Sequence, residues 1–90
     1  MGVKVYIHKT QQQFTEGQSV VDVHGDTVED CLKTLVRRFP QMKGALFDNK
    51  GNLSNTIEIY VNLQNVYPDE LTTGVKDGDK IHITILIAGG

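Results

Sequence analysis

The residues with the clearest chemical potential are Ala88, Gly89 and Gly90, at the C-terminal end of the sequence. Glycine has no side chain to pack and loses the most backbone entropy when ordered, so it does little to stabilise the end of a strand. A bare Gly-Gly carboxylate can enter a narrow channel, which makes the terminal carboxyl group a candidate reactive group. The alternative is an ordinary frayed terminus, because the last few residues of most domains are poorly ordered.

The remaining chemically active residue types do not combine into a catalytic or metal-binding pattern. Cys31 falls on the apolar face of a predicted helix, where a free cysteine usually behaves as a small hydrophobic residue and not as a nucleophile. His8, His24 and His82 share no metal-ligand spacing, so surface positions are favoured over a zinc site, although His8 and His82 could meet across neighbouring strands. The sequence therefore predicts a protein that is not an enzyme and that has no metal site.

Composition and charge limit the class of protein. Ninety residues suffice for one domain with a single core. A formal net charge of −2 argues against nucleic acid as the main partner, since such proteins normally carry a basic patch. One cysteine excludes an internal disulfide and suits a reducing compartment. The sequence shows neither a signal-peptide pattern nor an apolar stretch long enough to span a bilayer. We therefore expect a cytoplasmic protein with no membrane partner.

The best-defined element is a helix that begins at Thr27 and ends before Pro40. Thr27 and Asp30 match a capping box, in which each side chain satisfies a free backbone N–H group. Proline pushes the preceding residue out of the helical region, which ends the element. Residues 41–47 predict a short helical turn beside it, and residues 68–75 an irregular segment or a single turn. The apolar stripe of the main helix comprises Val28, Cys31, Leu32, Leu35, Val36 and Phe39.

Alternating apolar and polar residues predict a sheet with one buried face. The predicted strands cover residues 3–7, 19–23, 57–63 and 80–87, with a brief strand at 66–67 after a turn at 64–65. One amphipathic helix across one sheet satisfies the two-layer rule for domains. We therefore expect a single α+β domain over residues 1–90. Its first and last strands should lie side by side in the middle of the sheet, with a flexible Gly-Gly tail projecting from the sheet edge.

Several short motifs, in this order and spacing, carry a family resemblance. They are Gly25-Asp26-Thr27-Val28, Leu46-Phe47-Asp48 with Gly51, Val61-Asn62, Lys76-Asp77-Gly78-Asp79 and Ala88-Gly89-Gly90. Over essentially the whole chain, they resemble the MoaD/ThiS family of ubiquitin-like sulfur carriers. The resemblance implies a β-grasp fold, a mixed sheet of four to five strands covered by one main helix. The segment from 40 to 53 is similar to the longer MoaD branch. MoaD tails, however, commonly carry proline before Ala-Gly-Gly, whereas residues 85–88 here contain none.

The resemblance implies a function for the C-terminal glycine. An ATP-dependent adenylyltransferase of the MoeB/ThiF type would adenylate Gly90, and a sulfur donor would then leave a thiocarboxylate there. The chain itself would bind no cofactor, since the activating partner uses the ATP. A MoaE-like synthase is the favoured acceptor, which would make the chain the small subunit of a molybdopterin synthase in molybdenum cofactor biosynthesis. A sulfhydrylase-like enzyme that forms cysteine, homocysteine or another sulfur metabolite is also possible. The alternatives are a ubiquitin-like modifier conjugated through Gly90 and a non-covalent interaction domain.

The same hypothesis assigns partner-binding residues on the sheet and in the tail. Slender residues before the terminal glycine would let an extended tail enter a narrow site, and the sheet would supply the docking surface. The tail candidates are Gly89, Ala88 and Ile87, and the outward-facing sheet candidates for contact with the activating enzyme are Tyr6, Tyr60, Thr84 and Leu86.

Overall fold

The structure is a computed structural model that describes residues 2–86 of the chain. Within these residues, one five-stranded sheet is joined by two α-helices and a 3-10 helix. The strands are β1 (Val3–Tyr6), β2 (Val20–Val23), β3 (Ile57–Val61), β4 (Gln64–Asn65) and β5 (Lys80–Ile85). The helices are α1 (Val28–Arg38) and α2 (Met42–Leu46), and the 3-10 helix is Lys9–Thr15.

The sheet has the order β2-β1-β5-β3-β4, so the first and last strands are neighbours at its centre. β1 and β5 are parallel, with Val5 opposite Ile81, and every other neighbouring pair is antiparallel. Parallel neighbours need a long crossover connection, and α1 lies within that connection. The mixed sheet and its one long helix confirm the β-grasp fold that the resemblance implied.

α1 packs across one face of the sheet and forms the core with it. Alternate residues of β1, β3 and β5 point toward the helix and are buried, as the period of a strand requires. On α1 the predicted apolar stripe is buried except for Val36, which is only partly covered. The buried residues that meet at this interface include Val3, Val5, Ile59, Ile81 and Ile83 from the sheet and Val28, Cys31, Leu32 and Leu35 from the helix.

The N-terminus of α1 is capped as predicted, with a shift of one residue. Thr27 Oγ1 accepts a hydrogen bond of 3.1 Å from the backbone nitrogen of Asp30. The Asp30 carboxylate in turn accepts from the backbone nitrogen of Asp26 at 3.4 Å, not from that of Thr27. The helix ends at Arg38, and Phe39, which precedes Pro40, leaves the helical conformation.

The segment 68–75, predicted as irregular or as a single turn, completes the N-terminal cap of α1. The first backbone N–H groups of a helix lack partners within it and must be satisfied from outside. Here Val28 N–H donates to the carbonyl of Thr73 at 2.9 Å, and Glu29 N–H to that of Leu71 at 3.1 Å. The segment is thereby fixed against the helix through main-chain bonds, which side-chain patterns do not reveal.

The prediction of the β3–β4 connection is wrong. The sequence placed a turn at 64–65 and a strand at 66–67, whereas the strand is Gln64–Asn65 and the turn is formed by Asn62 and Leu63. Both turn residues have positive φ, 50° and 71°. Two consecutive residues in this region form the two-residue turn that matches the twist of a hairpin. Leu63 therefore leaves the apolar face of β3 and is 77% exposed.

Two further differences concern the chain between β1 and β2 and the end of β5. The predicted loop after β1 contains the 3-10 helix, which ends at Glu16 in the left-handed conformation. β5 ends at Ile85, and the predicted extension to Ile87 falls outside the described residues. Among residues 2–86, no helix has the length and apolar character needed to cross a membrane.

We predict that Gly25→Ala lowers the free energy of unfolding by about 1–3 kcal/mol through overpacking. A β-carbon at Gly25 would lie 2.8 Å from the backbone nitrogen of Cys31 and 2.9 Å from its Sγ. Gly44 in α2 is the matched control, because no atom beyond its chain neighbours and its own helix backbone lies within 4 Å of its β-carbon position. Gly44→Ala should leave stability unchanged or raise it by up to about 1 kcal/mol. Urea unfolding measures both, and a Gly25→Ala variant as stable as the parent would contradict the prediction.

Candidate functional site

The root of the C-terminal tail is fixed to the sheet. After β5, the backbone nitrogen of Leu86 donates a 2.7 Å hydrogen bond to the carbonyl of Thr56, just before β3. The Leu86 side chain is 52% exposed, as its outward assignment predicted. Leu86, the last residue that the structure describes, is therefore fixed beside the start of β3. The tail candidates Ile87, Ala88 and Gly89 and the expected reactive residue Gly90 lie outside the described residues, so their roles stay predictions.

The face of the sheet turned away from α1 carries a row of aromatic side chains. The strand register sets His82 of β5 between Tyr6 of β1 and Tyr60 of β3. The rings of Tyr6 and His82 are stacked, with centroids 4.3 Å apart and an interplanar angle of 8°. Stacked rings hold one another in place and bury part of their apolar surface. The structure thus brings two of the predicted docking residues together around a histidine.

Thr84 lies two residues after His82 on β5 and therefore faces the same side of the sheet. Its hydroxyl donates to the carbonyl of Glu58 on β3 at 3.3 Å, which ties the side chain to the neighbouring strand. Tyr6, Tyr60, His82 and Thr84 form what we call the outer face. Three of its four members were predicted from the sequence.

His8 and His82 do not meet across neighbouring strands, which was one possibility raised by the sequence. His82 lies opposite Tyr6 in the parallel pairing, so it does not meet His8 across the strands. His8 instead precedes the 3-10 helix, where its Nδ1 accepts a 3.2 Å hydrogen bond from the backbone nitrogen of Thr10. Within the part of the chain that the structure describes, no group of three or more His, Cys, Asp or Glu side chains could hold a metal ion.

Leu63 is a site residue that the sequence reasoning missed. It lines a depression of about 400 Å³ together with four residues of β3 and β5: Glu58, Tyr60, His82 and Thr84. A non-glycine residue with positive φ is uncommon and costs conformational energy, so its position needs support from the surrounding structure. Asn62 was the available signal, because asparagine tolerates the left-handed region and favours such turns.

The support for this turn comes from a clamp between Asn62 and Asp79. The Asn62 amide nitrogen donates to Asp79 Oδ1 at 3.0 Å, and its amide oxygen accepts from the Lys80 backbone nitrogen at 3.0 Å. Asp79 Oδ2 also accepts from the Lys76 backbone nitrogen at 3.0 Å. The two bonds that Asp79 accepts lower the pKa of its carboxyl group below the ordinary 3.8, the bond from Asn62 being the largest cause and that from Lys76 the next. The clamp joins the turn that carries Leu63 to the turn that begins β5.

Cys31 is confirmed as a core residue and not as a nucleophile. Its side chain is fully buried against the sheet. Burial, with smaller contributions from the nearby carboxylates of Asp30 and Asp26, raises the pKa of the thiol to about 11. Because the thiolate is the reactive form of cysteine, this side chain is inert at neutral pH.

Comparison with known proteins identifies relatives over the whole length of the chain. A family model described as the ThiS family matches residues 5–90. The sulfur carrier protein CysO of Mycobacterium tuberculosis strain H37Rv is 32% identical over 93 residues, which cover 100% of both proteins.

Solved structures agree with this comparison. A chain in the crystal structure of the Amycolatopsis orientalis BexX/CysO complex superposes with a TM-score of 0.88 at 31% identity, covering 99% of this chain and 100% of that one. The solution structure of small archaeal modifier protein 1 (SAMP1) from Methanosarcina acetivorans gives a TM-score of 0.84 at 29% identity, covering 98% and 95%.

The clamp predicts how stability depends on pH. Because folding lowers the pKa of Asp79, the unfolded chain binds a proton more readily, and stability that is present at neutral pH is lost as the pH falls through 3.8 and then through the lower folded pKa. Asp79→Asn should be less stable at neutral pH and should lose less stability on acidification. Urea unfolding from about pH 7 to about pH 2.5 measures this dependence.

The control for this experiment is Asp22→Asn. The pKa of Asp22 is also lowered, chiefly by its hydrogen bond to Lys4 on the sheet surface. This variant should still show the part of the loss of stability on acidification that is due to Asp79. Acid profiles of the parent and Asp79→Asn that run parallel would rule out the clamp as a source of the pH dependence.

Proposed function

This chain belongs to the ThiS family, and from that premise we propose that it is a sulfur carrier of the CysO type that holds sulfur on Gly90. The general carrier role follows from the family and from a full-length relative named as a sulfur carrier protein. That relative is named as a carrier and not as a catalyst, in agreement with the prediction that the chain is not an enzyme. The observation that carries the proposal is the family match through residue 90, which includes the terminal Gly-Gly.

The chemistry of such a carrier begins with a poor electrophile. The free carboxylate of Gly90 is anionic and has no good leaving group, so it must be activated. Adenylation by a partner enzyme joins the carboxyl oxygen to the α-phosphate of ATP and releases pyrophosphate. Hydrosulfide (HS⁻) then attacks the carbonyl carbon and expels AMP, which leaves a thiocarboxylate and releases a proton. ATP is used by the partner, and the chain itself supplies the acyl group.

We propose that the acceptor of this sulfur is an enzyme that forms cysteine. Support comes from the name of the CysO relatives and from the tail, where residues 85–88 contain no proline of the kind common in MoaD. A sulfhydrylase-like acceptor fits this assignment better than a MoaE-like synthase. The molybdopterin synthase hypothesis receives no support from the relatives described above, which are named CysO and SAMP1.

The outer face and Leu63 are the proposed docking surface for the activating enzyme, an adenylyltransferase of the MoeB/ThiF type. Aromatic side chains dominate binding energy at protein interfaces, and here Tyr6 and Tyr60 flank His82. Leu63 lies beside them, exposed and held by the turn. β5 contributes to this face, and Leu86, which follows it, is bonded to Thr56, so an enzyme that binds the face would lie close to the point from which the tail continues.

A second candidate function is a ubiquitin-like protein modifier. The similarity to SAMP1, named a small archaeal modifier protein, favours it. The activation step would be the same, but a lysine amine of a target protein would replace the sulfur nucleophile. The product would be an amide through Gly90 in place of a thiocarboxylate.

We predict that the protein gains the mass of one sulfur in place of one oxygen when incubated with ATP, a sulfur donor and its activating enzyme. Intact-mass spectrometry measures this gain. Deletion of Gly90 should abolish it. Cys31→Ala should leave it unchanged, which separates a thiocarboxylate from a persulfide on the thiol. Conjugates of higher mass without the sulfur gain would favour the modifier, and an unmodified mass with no conjugates would contradict both proposals.

We also predict that Leu63→Asn raises the KM for activation by about tenfold, as loss of one apolar interface anchor would. Asparagine tolerates positive φ, so the variant should be at least as stable as the parent in urea. Glu16→Asn is the matched control, since Glu16 also has positive φ (56°) but lies at the end of the 3-10 helix. An equal effect of both substitutions on KM would remove Leu63 from the docking surface.

A further inference from the structure

A second surface lies on the helical side of the domain, where α1 meets α2 and the loop after it. A groove of about 370 Å³ is present there. Two partly buried apolar side chains, Val36 of α1 and Phe47 after α2, line it. Val36 belongs to the stripe that the sequence assigned to the core, yet part of its surface is accessible. The helical side therefore keeps apolar surface that the sheet does not cover.

The groove is rimmed by positive charge. Lys33 and Arg37 lie one helical turn apart on α1, and Lys43 lies on α2. Glu29 is the single acid of the rim, and its carboxylate is 3.5 Å from Lys33 Nζ. Within residues 2–86, neither Arg37 nor Lys43 forms an ion pair. Three cations and one acid give the rim a net positive charge, opposite in sign to the formal −2 of the whole chain.

The spacing of these charges indicates the kind of ligand that fits. Lys33 and Arg37 are four positions apart, which places them about 6 Å from each other along α1. Lys43 comes from the neighbouring helix, and all three cations are exposed. Three cations spaced along an apolar surface are complementary to an amphipathic helix whose carboxylates repeat along one side. A phosphate group would instead need donors that converge on one point.

We propose that this groove docks an acidic amphipathic helix of a partner protein. An apolar side chain of that helix would rest on Val36 and Phe47, with its carboxylates beside the three cations. The groove and the outer face lie on opposite sides of the sheet, because α1 covers the inner face. A partner held here leaves the outer face accessible, so the carrier can be tethered while a second protein binds the sheet.

The test uses the full chain, isotope-labelled for NMR, and a synthetic helical peptide of about 15 residues. The peptide carries glutamate at every fourth position and leucine on the adjoining face. It should shift the amide resonances of α1 and α2 and leave those of the outer face unchanged. Lys43→Glu should weaken binding about fivefold and added salt should weaken it further. Lys9→Glu, which makes the same charge change on the 3-10 helix, should bind as the parent does.

Several outcomes would overturn the proposal. They are equal binding of a peptide with lysine in place of each glutamate, equal effects of the two substitutions, or shifts confined to the outer face. Absence of shifts at millimolar peptide would do the same. Displacement of the peptide by inorganic phosphate would show a small-anion site instead of a helix-binding groove. If saturating peptide blocked activation of Gly90, docking on the two sides would not be simultaneous, whereas failure of sulfur loading alone would count only against the proposed function.

Discussion

The parallel pairing of β1 with β5 is the constraint on which the rest of this structure depends. It places the last strand at the centre of the sheet, between β1 and β3, with Ile81 and Ile83 buried beneath α1. A strand bonded on both sides cannot shift its register without turning its apolar side chains toward solvent. The position of His82 between two tyrosines, and the point where the tail leaves the sheet, both follow from that register. A carrier that presents its end to other proteins gains a rigid reference for that end.

The Asn62–Asp79 clamp extends this rigidity to the edge of the sheet. Through it, the hairpin of β3 and β4 is joined to the turn that begins β5, so the exposed Leu63 is held relative to the central strand. The clamp uses only an amide, a carboxylate and backbone N–H groups, which restrain orientation more narrowly than apolar packing does. The apolar core holds the helix against the sheet, and the hydrogen bonds of Asn62 and Asp79 fix the β3–β4 turn to this body.

Periodicity and capping predicted α1 and the longer strands because both act locally. The stripe from Val28 to Phe39 and the break at Pro40 placed α1 to within a residue, and alternation placed β1, β3 and β5. The hairpin at Asn62 was missed because its conformation is stabilised by Asp79 and Lys80, distant in the sequence. The irregular character of residues 68–75 was predicted, but their contact with the α1 N-terminus was not, since it is made by main-chain bonds. For the site, the alternation of apolar and polar residues predicted that Tyr6, Tyr60 and Thr84 face outward. Only the pairing register of the strands shows that His82 lies between the two tyrosines.

The buried thiol has a consequence for a chain of this family. An acyl adenylate is open to attack by any accessible thiolate, and a chain with such a group could trap its own activated end as an internal thioester. The single cysteine of this sequence is protonated at neutral pH and enclosed by the helix and the sheet. In the carrier that we propose, the domain therefore would not compete with the external donor or acceptor, and the reactivity would be confined to the terminal glycine.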